Sequence, residues 1–186
     1  AGTIVETGAG IERFSTGQIV CSMPTKGCGR CGACLAGDPM HCVALEAIGM
    51  AMPQTGAFAE YVLVGQHETF VLPPGVDAAL GSLVEPLAVG LKQAEEARCQ
   101  PGEAMLILGA GPVGLATAIW ARAMGVGDIL VSDPVASRRR LALELGATAV
   151  VDPSVEEVSA FCQRELGGAP KVVVECIGRP GSFDMA

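Results

Sequence analysis

Four cysteines, Cys28, Cys31, Cys34 and Cys42, form the pattern C-x2-C-x2-C-x7-C. Short loops carrying glycine let four sulfurs converge on one point. Four thiolates complete the tetrahedral shell of a zinc ion and leave no open position, so such a site is structural and not catalytic. Binding there couples to local folding. Two disulfides or four free thiols are the other readings, and a reducing compartment disfavours the first. An iron–sulfur cluster is a further one, because Cys-x2-Cys-x2-Cys resembles ferredoxin spacing; the fourth spacing and the missing Cys-Pro count against it. His41 adjoins Cys42, but four cysteines already fill the shell. Cys21, Cys99, Cys162 and Cys176 are isolated and read as structural.

A second group has the chemistry of phosphate binding. Gly109-Ala-Gly111-Pro-Val-Gly114 follows the apolar run Met105–Leu108 and precedes an apolar stretch suited to a helix. In a strand–turn–helix context this G-x-G-x-x-G pattern predicts a dinucleotide site. Gly109 allows the tight turn, Gly111 lets a pyrophosphate approach the backbone, and Gly114 lets helix and strand pack closely. Free N–H groups and the helix dipole then hold the phosphates. Asp133 ends the next strand-like run, 19 residues beyond Gly114, near the spacing of about 20 expected for a ribose-binding acid. A carboxylate there accepts the ribose hydroxyls of NAD and repels the 2′-phosphate of NADP. Arg138, Arg139 and Arg140 could instead welcome that phosphate or form a solvated helix face.

Glu85 is the third candidate. It precedes Pro86 inside the apolar run Ser82–Leu91. A buried carboxylate must meet a cation, a metal or hydrogen-bond donors. On the residues alone, a helix-N-terminal acid satisfied by backbone N–H groups fits equally well.

The elements that must position these groups can be read from periodicity and turn residues. Strands are expected at Gly2–Thr7, at Gln18–Cys21 and across GAFAEYVLV (residues 56–64), with His67 and Glu68 in the polar turn that follows. Phe70–Gly75, with two prolines and a glycine, breaks regular structure and marks a domain boundary. Residues 77–98 are helical in pattern. Beyond Gly102, strands near 105–109, 128–132, 148–151 and 171–176 alternate with helices near 112–124, 135–145 and 154–166. That rhythm implies right-handed crossovers and a parallel sheet.

Composition excludes some functions. The chain has 186 residues, a net charge of −8 and no basic run longer than Arg138–Arg140. It therefore lacks the basic face that a nucleic-acid partner needs. No signal-peptide pattern and no apolar span of membrane length is present, so no membrane association and a cytoplasmic location are expected.

Together these segments resemble the zinc-containing medium-chain alcohol dehydrogenase family, over essentially the whole chain. The cysteine spacing matches the family's structural zinc lobe at all four positions, and GAFAEY, Glu85-Pro86, GAGPVG and Asp133 follow in the family's order. The resemblance implies an α/β fold: a partial GroES-like, β-rich catalytic domain over residues 1–76, with the zinc lobe near 24–46, then a partial Rossmann doubly wound parallel sheet over 77–186. Glu85-Pro86 resembles the polyol and threonine dehydrogenase branch, which implies that Glu85 lies at a catalytic zinc, as a ligand or holding the zinc-bound water. Val89 would then lie near the nicotinamide. Gly109, Gly111, Pro112, Val113 and Gly114 match the pyrophosphate turn, Asp133 and Arg138 the adenosine ribose contacts, and Ile177 and Arg179 residues flanking the adenosine.

The family's other catalytic zinc ligands, a cysteine and a Gly-His-Glu motif, have no counterpart in this chain. Ala1–Glu6 matches the strand that follows Gly-His-Glu, so an interior piece of a longer enzyme, inactive alone, is expected. The implied activity is NAD-linked, zinc-dependent oxidation of a small-molecule alcohol (polyol, amino-alcohol or secondary alcohol) by a homo-oligomer, dimeric or tetrameric. The alternative is a dinucleotide-binding or zinc-lobe interaction module without catalysis.

Overall fold

The structure, a computed structural model, describes residues 1–50 and 56–182. It contains two compact units, Ala1–Val84 and Glu85–Ala186. The first carries β1 (Gly2–Thr3), β2 (Ile19–Ser22), β3 (Thr25–Lys26), β4 (Glu46–Ala47) and β5 (Thr69–Val71), with short helices α1 (Gly32–Leu35) and α2 (Ala78–Gly81). Strands β1, β2 and β5 form an antiparallel sheet in that order, and β3 pairs with β4. The expected strand at Gly2–Thr7 is shorter. Its ladder continues only through Ile4, whose N–H donates to Gln18 O at 2.9 Å.

The strand expected across GAFAEYVLV does not form in its described residues. Phe58, Tyr61 and Leu63 are exposed there, and no described strand pairs with the segment. Alternating apolar residues make a strand only where a partner ladder receives them. The expected break at Phe70 begins later. Thr69–Val71 pairs with β2, and Leu72 N–H still donates to Ile19 O at 2.9 Å before the two prolines intervene. Asp77 caps α2 by accepting from Leu80 N–H at 2.8 Å. Gly81 of α2 lies against the Leu72 side chain, so close that a Cβ there would overlap it. The first compact unit runs to Val84 and so includes α2.

The second unit contains α3 (Val84–Ala97, from its second residue), β6 (Ala104–Leu108), α4 (Pro112–Ala123), β7 (Asp128–Ser132), α5 (Ala136–Glu144), β8 (Ala149–Val151), α6 (Val158–Leu166) and β9 (Val172–Glu175). Its four strands are parallel, in the order β8-β7-β6-β9. Successive residues of β6 face opposite sides. Met105 and Ile107 join Ala118, Ala121 and Ala142 in one buried cluster, and Leu106 and Leu108 join Val158, Phe161 and Cys162 in the other. Helices thus cover both faces of a doubly wound sheet. The sheet order reverses between β6 and β9, which places a ligand crevice at their carboxyl ends. Helix α6 starts four residues later than the expected 154, because Asp152 holds a turn by accepting from Ser154 N–H at 3.0 Å. Helices α3 and α4 touch where Gly90 meets Ala116; a Cβ on Gly90 would lie 2.5 Å from Ala116 Cβ. Trp120 Nε1 donates to Leu87 O at 2.8 Å across the same pair.

Candidate functional site

The pairing of β3 with β4, Thr25 opposite Ala47 and Lys26 opposite Glu46, closes the base of the cysteine lobe. Cys28 follows β3, Cys31 stands before the first turn of α1, Cys34 lies within α1, and Cys42 follows a 3-10 turn at Pro39–His41. Their four sulfurs lie within 4.8 Å of one another, and this is the one such group among the described residues. Cys31 Sγ and Cys42 Sγ are 3.8 Å apart. A tetrahedral zinc with Zn–S bonds of about 2.3 Å puts sulfurs about 3.8 Å apart, whereas a disulfide needs about 2.05 Å. All eight cysteines are free. The donor set and its spacing therefore fit a four-thiolate metal site.

Backbone N–H groups make the lobe receptive to thiolates. Cys28 N–H and Ala44 N–H donate to Cys42 Sγ at 3.2 and 3.3 Å. The amides of Cys34 and Val43 pull the Cys31 thiol down to about 6. Those of Arg30 and Cys31 lower Cys28. Desolvation, reinforced by the neighbouring thiols, pushes Cys34 up to about 12. Without a metal, then, Cys31 ionises more readily than Cys34. His41 is turned away to Asp38, Nδ1 to Oδ2 at 2.6 Å, and is exposed.

The glycine turn sits at the end of β6. Gly109 has φ of +96°, and a Cβ there would lie 3.0 Å from Ile177 Cγ1 and 3.3 Å from Cys176 C. Its N–H donates to Ser132 O at 2.7 Å. Gly114 packs so closely on Gly109 that a Cβ would overlap the Gly109 carbonyl oxygen. Gly111 differs from both. Its φ of −74° and ψ of −179° suit any residue, and a Cβ there would meet nothing within 4 Å. The fold demands glycine at 109 and 114 and not at 111. The open space at 111 adjoins the N-terminus of α4, where Pro112 is the first residue and no side chain caps the helix. That cradle fits a phosphate group.

Asp133 is 3% exposed. Its Oδ2 accepts from Ala110 N–H at 2.9 Å and its Oδ1 from Val135 N–H at 2.8 Å. The carboxylate thus ties the glycine turn to the end of β7. Arg138 Nη1 stands 3.8 Å from Oδ2. Arg139 donates to Asp133 O at 2.7 Å and pairs with Asp152 at 2.9 Å, so it is committed to the fold; Arg140 is exposed. Ile177 is partly buried against the α6-side cluster and Arg179 is exposed. Glu175 Oε1 accepts from Ile177 and Gly178 N–H at 2.6 and 2.9 Å. Those amides, Gly178 first, lower its pKa.

Glu85 lies in the first turn of α3 and is exposed, as is Val89 one turn on. Within this chain Glu85 is therefore not a buried carboxylate in need of a partner. The proline that follows it sits in the first helical turn, where its missing N–H costs no bond.

Comparison with known proteins agrees with both halves. Residues 1–74 match the family described as the alcohol dehydrogenase GroES-like domain, and residues 112–186 match the zinc-binding dehydrogenase family. The chain belongs to the zinc-containing alcohol dehydrogenase family. Among members of that family it is similar to the sorbitol dehydrogenase of Bacillus subtilis, 34% identical over 100% of this chain and 53% of that protein. It is 36% identical to the 2-dehydro-3-deoxy-L-galactonate 5-dehydrogenase of Pseudoalteromonas atlantica, over 90% of this chain and 48% of that protein. A solved structure assigned as a zinc-binding dehydrogenase of Sinorhizobium meliloti, bound to NADP, superposes with a TM-score of 0.85 at 37% identity, covering 98% of this chain and 54% of that one. The chain spans about half the length of these relatives. No described helix is long and apolar enough to cross a membrane.

One residue of the lobe escaped the sequence reading. Glu68, expected in a polar turn, is 1% exposed. Nothing in Gly65–Thr69 distinguishes it from a solvated turn residue; only the folded lobe buries it.

Proposed function

We propose that this chain is part of a zinc-dependent, NAD-linked alcohol dehydrogenase that oxidises a polyol, an amino-alcohol or a simple secondary alcohol to the carbonyl. The observation that carries the reading is the glycine at 111, which no contact or backbone angle requires. Its vacant Cβ position leaves room for a diphosphate against the uncapped amides of α4. In this reading Gly109, Pro112, Val113 and Gly114 hold the shape of that turn. Asp133 receives the adenosine ribose through the lone pairs not used by Ala110 and Val135, with Arg138 beside it. Ile177 and Arg179 flank the adenosine, and Val89 lies towards the nicotinamide. The partial GroES-like and partial Rossmann domains are supported by the matches to 1–74 and 112–186.

Cys28, Cys31, Cys34 and Cys42 hold a structural zinc, and their closed shell keeps that ion out of the reaction. Glu85 is assigned to the catalytic zinc of the whole protein, with the remaining ligands on segments other than this one. When bound, catalytic zinc supplies a Lewis acid for the alcohol oxygen, and nicotinamide supplies the hydride acceptor. This chain's part is to orient the dinucleotide, to set its preference through Asp133, and to keep the lobe folded. The names of the sugar-acid and polyol dehydrogenases it is similar to support a polyhydroxy alcohol as substrate. A homo-oligomer in the cytoplasm completes the proposal.

Calorimetric titration of the zinc-loaded chain with NAD and with NADP tests the cofactor reading. Tighter binding of NAD is expected. No binding of either would overturn it. The NADP held by the Sinorhizobium relative makes both titrations necessary. Extending the chain to the length of its relatives and measuring NAD reduction with sorbitol, threonine and 2-propanol then tests the reaction itself.

A further inference from the structure

Glu68 is a carboxylate buried at the root of the cysteine lobe. Its Oε1 accepts from Gly27 N–H at 2.8 Å. Gly27 is the residue immediately before Cys28. A Cβ on Gly27 would lie 2.9 Å from Cys34 Sγ and 3.1 Å from Glu68 Oε1. The glycine is thus held between a ligand sulfur on one side and the carboxylate on the other. The second carboxylate oxygen lies over Gly65, where any Cβ would overlap it. The backbone of Glu68 is fixed as well: its carbonyl accepts from Met23 N–H at 3.0 Å. Its neighbour Thr69 donates to Gly65 O at 2.7 Å. The carboxylate therefore starts from a rigid base and ends on the one peptide N–H that leads into the first ligand.

A carboxylate is a surprising group to bury beside four thiolates, since like charges repel. Its Oε1 supplies the acceptor that the Gly27 N–H needs, a role any side-chain oxygen of the same reach can fill. Groups that orient metal ligands without touching the metal commonly set its retention. We propose that Glu68 is a positioning residue of the four-cysteine site, holding Gly27 so that Cys28 and Cys34 present their sulfurs at metal-binding distance. This rests on the reading that the four cysteines hold zinc.

The test is zinc release from the purified, zinc-loaded chain to a chromophoric chelator, for wild type, Glu68→Ala, Glu68→Asp and Glu68→Gln. Far-UV dichroism and the emission of Trp120, the single tryptophan, monitor the fold. Gln keeps an oxygen within reach of Gly27 N–H and should release zinc within about threefold of the wild-type rate. Ala removes the acceptor and Asp retracts it by one methylene, so both should release zinc at least about tenfold faster, at the low end of the effect expected for groups that orient ligands. Release from Glu68→Ala at the wild-type rate, or from Glu68→Gln as fast as from Glu68→Ala, would overturn the proposal. If Glu68→Ala does not fold, Glu68→Asp replaces it in both comparisons. A wild-type chain that takes up no zinc overturns the zinc reading itself and this proposal with it; zinc uptake without sensitivity to Glu68 overturns only the proposal.

Discussion

The pair Gly111→Ala and Gly114→Ala separates what the glycine turn does for the fold from what it does for a ligand. At 111 the new methyl enters open space, on a backbone that any residue adopts. Reduced freedom of the unfolded chain should stabilise by about 0.4–1 kcal/mol. Alanine is a poorer residue than glycine at the position preceding the helix, by about 0.5–1 kcal/mol, which offsets most of that gain. The net change in stability should stay below about 1 kcal/mol, a shift of under about 8 °C in the melting of a unit this size. At 114 the methyl overlaps the Gly109 carbonyl oxygen. Helix α4 must move off β6, at an overpacking cost of about 1–3 kcal/mol. Ligand binding should show a different pattern. The methyl at 111 occupies the space proposed for the pyrophosphate, so NAD affinity should fall at least tenfold, about 1.4 kcal/mol, with the melting curve nearly unchanged. Calorimetric melting and NAD titration of both variants measure the two quantities. Undiminished NAD binding by Gly111→Ala would show that no phosphate lies against Gly111. A large loss of stability in that variant would mean that the glycine serves the fold after all.

Other consequences can be measured separately. Asp133→Asn leaves one acceptor oxygen for two backbone amides. It should cost about 1–3 kcal/mol for the amide left unpaired and narrow the preference for NAD over NADP; an unchanged preference in a folded variant would remove Asp133 from the ribose site. Gly90→Ala drives a methyl to 2.5 Å from Ala116 Cβ and should lower the melting temperature of the second unit through about 1–3 kcal/mol of overpacking; melting at the wild-type temperature would contradict the close α3–α4 contact. Zinc uptake by the reduced, metal-free chain should release up to about one more proton per zinc at pH 5.5 than at pH 7, because Cys31, with its thiol at about 6, is protonated at the first pH and already ionised at the second; equal release at both would refute that ordering of the thiols. Glu175 has a depressed pKa, so its stabilising contacts are intact above the ordinary carboxylate range and are lost as pH falls through the folded value. Between pH 5 and 3 the wild-type second unit should therefore lose melting temperature faster than Glu175→Gln, and parallel curves would count against the contribution.

The local code in this chain was strong wherever chemistry demands particular residue types at fixed spacing. The four cysteines announce a four-ligand site because a tetrahedron accepts few loop lengths. The glycine turn after Met105–Leu108 announces a strand–turn–helix, because only glycine takes the backbone angle of 109 and the contact at 114. Alternation of strands and helices beyond Gly102 was likewise legible, since the two inner strands, β6 and β7, are buried on both faces and read as continuous apolar runs. Three things needed the folded chain. GAFAEYVLV has the alternation of a strand, but no described strand receives it, and pairing is a property of two segments and not one. Asp133 could be read as a ribose acid from its place after β7, but not as the clamp on Ala110 and Val135, which depends on two adjacent strand ends. Glu68 looked like part of a solvated turn. Its burial arises from the approach of Gly27, 41 residues away in the chain, and no local pattern encodes a contact at that separation.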